Sequence, residues 1–186
     1  FSRLDTIKFN EKNSPKDLVS EADIEVEAFL RTKLLDTYPD HGFFGEESGK
    51  IEGKTSRWIV DPIDGTTSFL RGQYYWSISI ALEVNGIITF GAIYAPVFKD
   101  LYTATLGSGA YKNGHPVQVS STDQLAKAMV CTGFACLRDN LENNNLERFS
   151  RIALNTRDQR RFGSAALDLC LVAAGQLDAF WEQHLN

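Results

Sequence analysis

The chain has 186 residues, and its 24 acidic and 19 basic side chains give a formal net charge of −5. Hydrophobic residues make up 43% and charged residues 23%, a composition that excludes a disordered chain or a fibre. The acidic balance argues against a protein that binds nucleic acid through a basic face, and no apolar run is long enough to span a membrane. The charge is uneven, because residues 20–64 hold 11 acids and 5 bases. This quarter of the chain is therefore the expected location of an active site.

The first regular element is predicted to be a helix over residues 18–35. Apolar residues recur there at spacings of three and four, which is typical of a helix with one buried face. Ser20 and Asp23 have the spacing of a capping box. The residues expected on the buried face are Val19, Ala22, Val26, Phe29, Leu30 and Leu34.

Two short apolar runs follow, and each ends on acidic residues. The run 43–45 is followed by Glu46 and Glu47. The run 58–61 is typical of a buried strand, and Pro62 is expected to stop its hydrogen-bonded ladder.

Residues 75–119 are predicted to form an antiparallel meander. Apolar residues alternate with polar ones, and Asn-Gly pairs at 85–86 and 113–114 are typical of two-residue hairpins. After residue 120 the pattern alternates between strands and helices, which predicts an α+β chain with an α+β part at 1–122 and an α/β part at 123–186. The expected strands are 128–132, 159–162 and 177–182, and the expected helices are 141–154 and 164–174.

The acidic residues near position 61 suggest a magnesium site. A turn after the strand can bring Asp64 beside Asp61, and two such carboxylates repel each other unless a cation lies between them. The carbonyl of Ile63 is a third candidate oxygen. No His or Cys lies in the acidic clusters, and oxygen ligands alone suit Mg²⁺ better than Zn²⁺. Gly65 permits close approach of a ligand, and the N–H groups at Thr66 can hold an anion, so a phosphate ester is the expected substrate.

Each acidic segment also has an ordinary interpretation. Asp-Pro and Asp-Gly pairs are common in turns, Asp23 can serve only as a helix cap, and the Glu46–Glu47 pair can be a solvated surface. Three acidic turns within one acidic quarter favour a common function over three separate structural roles.

Three segments resemble the N-terminal signatures of the inositol monophosphatase family, a set of Mg²⁺-dependent, lithium-sensitive phosphomonoesterases. They are residues 17–23, the Gly-Glu-Glu-Ser string at 45–48, and residues 58–69 with the string Asp-Pro-Ile-Asp-Gly-Thr. The resemblance implies a layered α-β-α-β-α sandwich and covers nearly the whole chain. It continues through residues 91–96, 109–114, 161–166 and 180–182.

The resemblance also implies a set of metal ligands for two or three Mg²⁺ ions. Glu46, Asp61 and the Ile63 carbonyl would bind the first ion. Asp61 and Asp64 would bind the second, together with an Asp that the family pattern places beyond Asn186. Full activity is expected to need that residue.

The same resemblance implies roles in catalysis and substrate binding. Thr66, hydrogen-bonded to Asp23, would orient the attacking water, and Glu46 counts as catalytic because it holds the ion that activates the water. The N–H groups of Gly65 and Thr66 would hold the phosphate. The substrate's hydroxyl groups would contact Asp64, Gly163, Ser164, Ala165 and Glu182, with His184 close by.

Inositol monophosphate is the first substrate expected, with other sugar or polyol phosphates beside it. Relatives act on fructose 1,6-bisphosphate, 3′(2′),5′-bisphosphate nucleotides or histidinol phosphate, and the shared metal core does not distinguish among them. Some family members instead act as binding partners in RNA-polymerase or ribosome-related assemblies. Family members are commonly homodimers, so the resemblance also implies a homodimer. The three cysteines lack metal-like spacing, which indicates free thiols and a reducing cytoplasm.

Overall fold

The computed structural model describes residues 7–11, 18–138, 142, 144–183 and 185. A two-stranded antiparallel sheet pairs β1 (Phe9–Glu11) with β2 (Leu18–Ser20), and α1 (Glu21–Thr37) follows directly. The prediction of a helix from residue 18 is thus wrong at its start, because 18–20 pair as a strand. The predicted capping box between Ser20 and Asp23 is present, and it begins the helix at Glu21.

The buried face of α1 differs from the predicted one. Phe29, expected in the core, is 60% exposed, whereas Asp23 and Glu27 are at most 1% exposed. Leu30 and Leu34 pack beside the buried Phe43. The helix therefore turns two carboxylates toward the rest of the molecule.

An eight-stranded mixed sheet forms the larger layer, and its only parallel pair of neighbours among the described strands is β3 with β5. The strand order is β10-β9-β8-β7-β6-β5-β3-β4, and the short helix α2 (Thr66–Leu70) follows β5. The strands are β3 (Gly42–Gly45), β4 (Gly49–Ile51), β5 (Ser56–Asp64), β6 (Ser77–Val84), β7 (Ile87–Ala95), β8 (Asp100–Thr105), β9 (Gly109–Lys112) and β10 (His115–Pro116).

The predicted meander is confirmed by the antiparallel pairing from β5 through β10. Asn85 and Gly86 have φ of 52° and 79° between β6 and β7, and Asn113 and Gly114 have φ of 50° and 79° between β9 and β10. Positive φ at both central residues is the requirement of the tight hairpin turns that Asn-Gly pairs predict.

The rest of the chain alternates between strands and helices, as expected. A three-stranded parallel sheet has β11 (Met129–Thr132) between β12 (Asp158–Arg160) and β13 (Ala179–Trp181). The helices are α3 (Ala135–Arg138), α4 (Leu146–Ala153) and α5 (Ala165–Ala173), after a 3-10 turn at Leu125–Lys127.

The predicted helix 141–154 is too long at its start. The helix α4 begins at Leu146, after the N-cap Asn145, and residues 141 and 143 lie outside the described residues. Asn145 is fully buried, and its amide donates to the Gly133 carbonyl at 2.6 Å. This contact holds Asn145 in the loop beside β11.

Helix α5 contacts both sheets, β6 and β7 of the larger one and β13 of the smaller one. Its Leu167 packs with Ala95 of β7 and Tyr102 of β8. Trp58, Phe69 and Trp76 are each 7% exposed and belong to the core. Cys131, Cys136 and Cys170 are free thiols. None of the described helices is long and apolar enough to cross a membrane. The division at residue 122 stays a prediction.

Candidate active site

The end of β5 places Asp61 and Asp64 on either side of a break in strand pairing. Asp61 pairs with Ser79 and Asp64 pairs with Ser77, with a shift in register between them. The expectation that Pro62 ends the strand is wrong, because pairing resumes at Asp64. The Asp61 carboxylate accepts a hydrogen bond from the Ile63 N–H at 3.1 Å, the local contact by which an Asp stabilises a turn.

Asp61 lies among other acidic groups. Burial, together with the negative charges of Asp64 and Glu46, raises the pKa of Asp61 to about 8. Glu46 follows β3, its N–H donates to the Val60 carbonyl at 3.3 Å, and its carboxyl group is hydrogen-bonded to that of Asp61. Parallel pairing of β3 with β5 therefore brings together the two acidic segments that are 15 positions apart in the sequence.

These donors fit a hard divalent cation. The carboxylates of Glu46, Asp61 and Asp64 and the Ile63 carbonyl offer only oxygen, which is the donor that Mg²⁺ prefers. Three negative charges sharing a corner would also be relieved by a cation. Within the described part of the chain, no three His, Cys, Asp or Glu side chains form a ready-made metal cluster. The first predicted ligand set combines two carboxylates with a backbone carbonyl, so it does not require such a cluster.

Thr66 and Asp23 lie in contact beside this acidic corner. The Thr66 hydroxyl lies 3.2 Å from Asp23 Oδ1 and 3.2 Å from the Ile63 carbonyl, so both acceptors are within its reach. Ser20 donates to Asp23 Oδ2 through its N–H at 2.8 Å and its hydroxyl at 2.5 Å. Burial raises the pKa of Asp23, and the hydrogen bonds from Ser20 and Thr66 oppose that shift.

Gly65 brings the start of α2 against the loop that precedes α5. Its φ of 97° lies in the left-handed region, and a Cβ there would lie 3.0 Å from the Gly163 carbonyl oxygen. The left-handed φ favours glycine, and a Cβ here would also crowd the Gly163 carbonyl. No side chain among the described residues caps α2. The first N–H groups of the helix have no partner within it and can therefore receive an anion.

Asp64 is anchored by the start of α5. Its Oδ2 accepts hydrogen bonds from the Ser164 hydroxyl and the Ala166 N–H, both at 2.7 Å. The Ser164 hydroxyl also lies 3.0 Å from that of Ser77 and caps α5 by accepting from the Leu167 N–H at 3.3 Å. Burial raises the pKa of Asp64, and the bonds from α5 oppose that shift. Residues 163–165 thus lie beside Asp64, and their contact with a substrate stays a prediction.

Glu182 follows β13 on the smaller sheet and contacts the loop after β11. Its carboxylate accepts from the Ala135 N–H at 2.7 Å, and a Cβ at Gly133 would overlap it at 2.0 Å. Asp168 of α5 is near enough to both Asp64 and Glu182 for their negative charges to act on it. Two other residues of the sequence analysis, Asp17 and His184, lie outside the described residues.

Sequence reasoning missed two buried carboxylates near the site. Glu27 is 1% exposed on the same face of α1 as Asp23. Their separation of four residues was the available signal, because residues four apart share a helix face. Asp168 is also 1% exposed. Burial, with the charges of Asp64 and Glu182, raises the pKa of Asp168 to about 7, although its hydrogen bond with Cys131 opposes the shift.

A model of the inositol monophosphatase family matches residues 1–186. The chain belongs to this family. It is 41% identical over 174 residues to the inositol-1-monophosphatase of Mesorhizobium japonicum, covering 92% of this chain and 65% of that protein. It is 40% identical over 190 residues to the Nus factor SuhB of Pseudomonas aeruginosa, covering 99% of this chain and 70% of that protein. The chain thus spans about two thirds of the length of these relatives.

Solved structures confirm the predicted α+β sandwich of the family. The extragenic suppressor protein SuhB from Bartonella henselae superposes with a TM-score of 0.93 at 38% identity, over 100% of this chain and 71% of that chain. An IMPase/NADP phosphatase complexed with Mg²⁺ and phosphate has a TM-score of 0.83 at 25% identity, over 97% of this chain and 67% of that one.

Proposed function

We propose that the protein hydrolyses small phosphate monoesters with Mg²⁺, and that inositol monophosphate is the first substrate to test. The observation that carries this proposal is the acidic corner of Glu46, Asp61 and Asp64 beside the left-handed Gly65. It combines oxygen ligands for a cation with backbone N–H groups that can hold a phosphate. The Mg²⁺ and phosphate in a related structure support the same assignment.

The ligands in this proposal are the predicted ones. Glu46, Asp61 and the Ile63 carbonyl hold the first ion, and Asp61 and Asp64 contribute to the second. When bound, Mg²⁺ lowers the pKa of a coordinated water and offsets negative charge on the phosphoryl group.

The chain's own residues orient the reactants. In this proposal the Thr66 hydroxyl donates to the buried Asp23, 3.2 Å away, and accepts a hydrogen bond from the attacking water. The N–H groups of Gly65 and Thr66 hold the phosphate. The residues at 163–165, at the start of α5, border Asp64. In this proposal they contact the substrate's hydroxyl groups together with Glu182.

Other phosphate esters stay open as substrates. Fructose 1,6-bisphosphate, 3′(2′),5′-bisphosphate nucleotides and histidinol phosphate require the same metal core, and the residues near Glu182 are expected to select among them. Lithium sensitivity is part of the proposal, because Li⁺ inhibits the phosphomonoesterases that the sequence resembles.

A second candidate function is that of a binding partner in an RNA-polymerase or ribosome-related assembly. The similarity to a protein named Nus factor SuhB favours it. The acidic corner favours the enzyme, because a binding surface has no need of three neighbouring carboxylates whose negative charges repel one another. A homodimer in the cytoplasm is our expectation for either function.

The deciding experiment is phosphate release from a panel of substrates. The panel contains inositol monophosphates, fructose 1,6-bisphosphate, adenosine bisphosphates and histidinol phosphate, each with and without Mg²⁺ and Li⁺. We expect Mg²⁺-dependent release from at least one polyol or sugar phosphate and inhibition by Li⁺. Absence of release from every compound, by a folded protein that co-purifies with transcription components, would favour the binding role.

A further inference from the structure

We propose that Glu27 is a positioning residue that fixes the metal ligand Glu46 through the turn at residues 45–48. The inference rests on the proposed function, because it concerns the Mg²⁺ affinity of the same site. Glu27 contacts the backbone of this turn through its side-chain carboxylate.

The first observation is the burial of Glu27. Its side chain is 1% exposed, although a buried carboxylate is costly unless hydrogen bonds compensate for the loss of water. Both carboxylate oxygens are used. Oε2 accepts the Glu47 N–H and Oε1 accepts the Ser48 N–H, each at 2.7 Å. Hydrogen bonds to a charged acceptor are stronger than neutral ones, so the turn is held firmly.

The second observation is where these bonds act. The Glu47 N–H belongs to the peptide group whose carbonyl is that of Glu46, so the bond to Glu27 fixes the backbone on the C-terminal side of Glu46. On the N-terminal side, the Glu46 N–H donates to the Val60 carbonyl of β5 at 3.3 Å. The backbone of Glu46 is therefore held on both sides, with its carboxyl group hydrogen-bonded to that of Asp61.

The third observation is the close approach at Gly45. A Cβ there would lie 2.5 Å from the carboxyl carbon of Glu27. Gly45 is not among the positive-φ residues of the described chain, so the position requires glycine for space and not for backbone conformation. The turn and the Glu27 carboxylate are thus packed in direct contact. A displacement of the Glu27 carboxylate would therefore shift the backbone of the turn and, with it, Glu46.

Residues that hold a metal ligand in place affect metal affinity strongly, and their loss costs about 10- to 100-fold. We therefore expect Glu27→Gln to raise the Mg²⁺ dissociation constant about 10- to 100-fold, measured by isothermal titration calorimetry. A glutamine has one acceptor oxygen where the turn needs two. The matched control is Glu21→Gln, which removes an exposed carboxylate from the same helix and should leave Mg²⁺ affinity unchanged.

Gly45→Ala perturbs the same contact without changing any charge. In the wild-type background its Cβ displaces the Glu27 carboxylate, so Mg²⁺ affinity should fall about tenfold, in the range expected for a residue behind a metal ligand. In a Glu27→Ala background the space is free, so Gly45→Ala should cost nothing further. Thermal unfolding in EDTA, followed by circular dichroism, verifies that each variant is folded at the temperature of the titration.

The outcomes separate the inference from the proposed function. Non-additivity of the two substitutions, with weaker Mg²⁺ binding in each single variant, supports the positioning role. Wild-type affinity in a folded Glu27→Gln variant, or equal losses from Gly45→Ala in both backgrounds, overturns it while phosphate release by the wild type stands. A wild-type protein that neither binds Mg²⁺ nor releases phosphate overturns the proposed function itself.

Discussion

The two neighbouring aspartates of β5 are held in opposite ways. Asp61 accepts one backbone N–H at 3.1 Å and faces the charges of Asp64 and Glu46. Asp64 accepts two bonds of 2.7 Å from the start of α5. The protein therefore compensates the charge of Asp64 with its own donors and gathers negative charge around Asp61. Under the proposed function, this difference makes Asp61 the residue most dependent on a bound cation, whereas Asp64 links the acidic corner to the start of α5.

The largest effect is expected from Asp61→Asn. Removing the charge that the cation needs should lower phosphate release by at least about 1000-fold, which corresponds to roughly 4 kcal/mol. Stability should not fall, because burial and neighbouring charges already disfavour the ionised Asp61. Turnover and thermal unfolding in EDTA at pH 8 measure the two effects, with Asp36→Asn, on the exposed side of α1, as the control. A turnover near that of the wild type at saturating Mg²⁺ would remove Asp61 from the site.

An intermediate effect is expected from Ser164→Ala. The substitution removes the hydroxyl that donates to Asp64 and caps α5. Loss of a hydrogen bond to a charged group costs about 1.5–3 kcal/mol, so we expect roughly a tenfold or larger fall in kcat/KM. Loss of a helix cap costs about 1 kcal/mol, or roughly 2–4 °C in Tm for a chain of this size.

The control for Ser164→Ala is Ser77→Ala. The Ser77 hydroxyl contacts the Ser164 hydroxyl at 3.0 Å, whereas the side-chain donor described for the Asp64 carboxylate is Ser164. If both variants lose the same activity, the anchoring of Asp64 by α5 has no special importance for the reaction.

The smallest effect is a pH dependence of stability at Asp168. Burial raises the pKa of Asp168 to about 7 from an ordinary value of 3.8. The folded state therefore binds more protons than the unfolded state across that window, and stability falls as the pH rises from about 4 to 7. Asp168→Asn removes this loss, so its Tm should exceed the wild-type Tm by a few degrees at pH 8, since about 1 kcal/mol shifts Tm by roughly 2–4 °C.

The advantage of Asp168→Asn should shrink as the pH is lowered toward 4. Unfolding scans in EDTA at several pH values measure it. A constant difference between variant and wild type across the range would mean that Asp168 is ionised in the folded protein throughout.

The acidic turn at the end of β5 was predictable from the sequence because its residues lie in one short string with fixed local chemistry. Asp61, Asp64 and Gly65 lie within five positions, and the capping box at Ser20 and Asp23 is local as well. The Asn-Gly hairpins were predictable for the same reason, since positive φ at both turn residues is a property of those residues alone.

The features that were missed depend on tertiary packing. Helical spacing predicted that Phe29 would face the core, but α1 buries the carboxylate of Glu27 because the turn at 45–48 supplies two N–H donors. The pairing of Asp64 with Ser77 could not be foreseen from Pro62, because resumption of the ladder depends on the register of β6. The local sequence does not distinguish Asp168 from a solvated helix residue, because its burial depends on how α5 packs against the two sheets.

The most direct test of the magnesium site is a crystal structure of the protein soaked with Mn²⁺ and phosphate, with Mn²⁺ located by its anomalous scattering. We expect an ion bound by Glu46, Asp61 and the Ile63 carbonyl, with the phosphate at the N–H groups of Gly65 and Thr66. An anomalous map with Mn²⁺ bound elsewhere and none in contact with Asp61, in crystals that hold phosphate, would contradict the assignment.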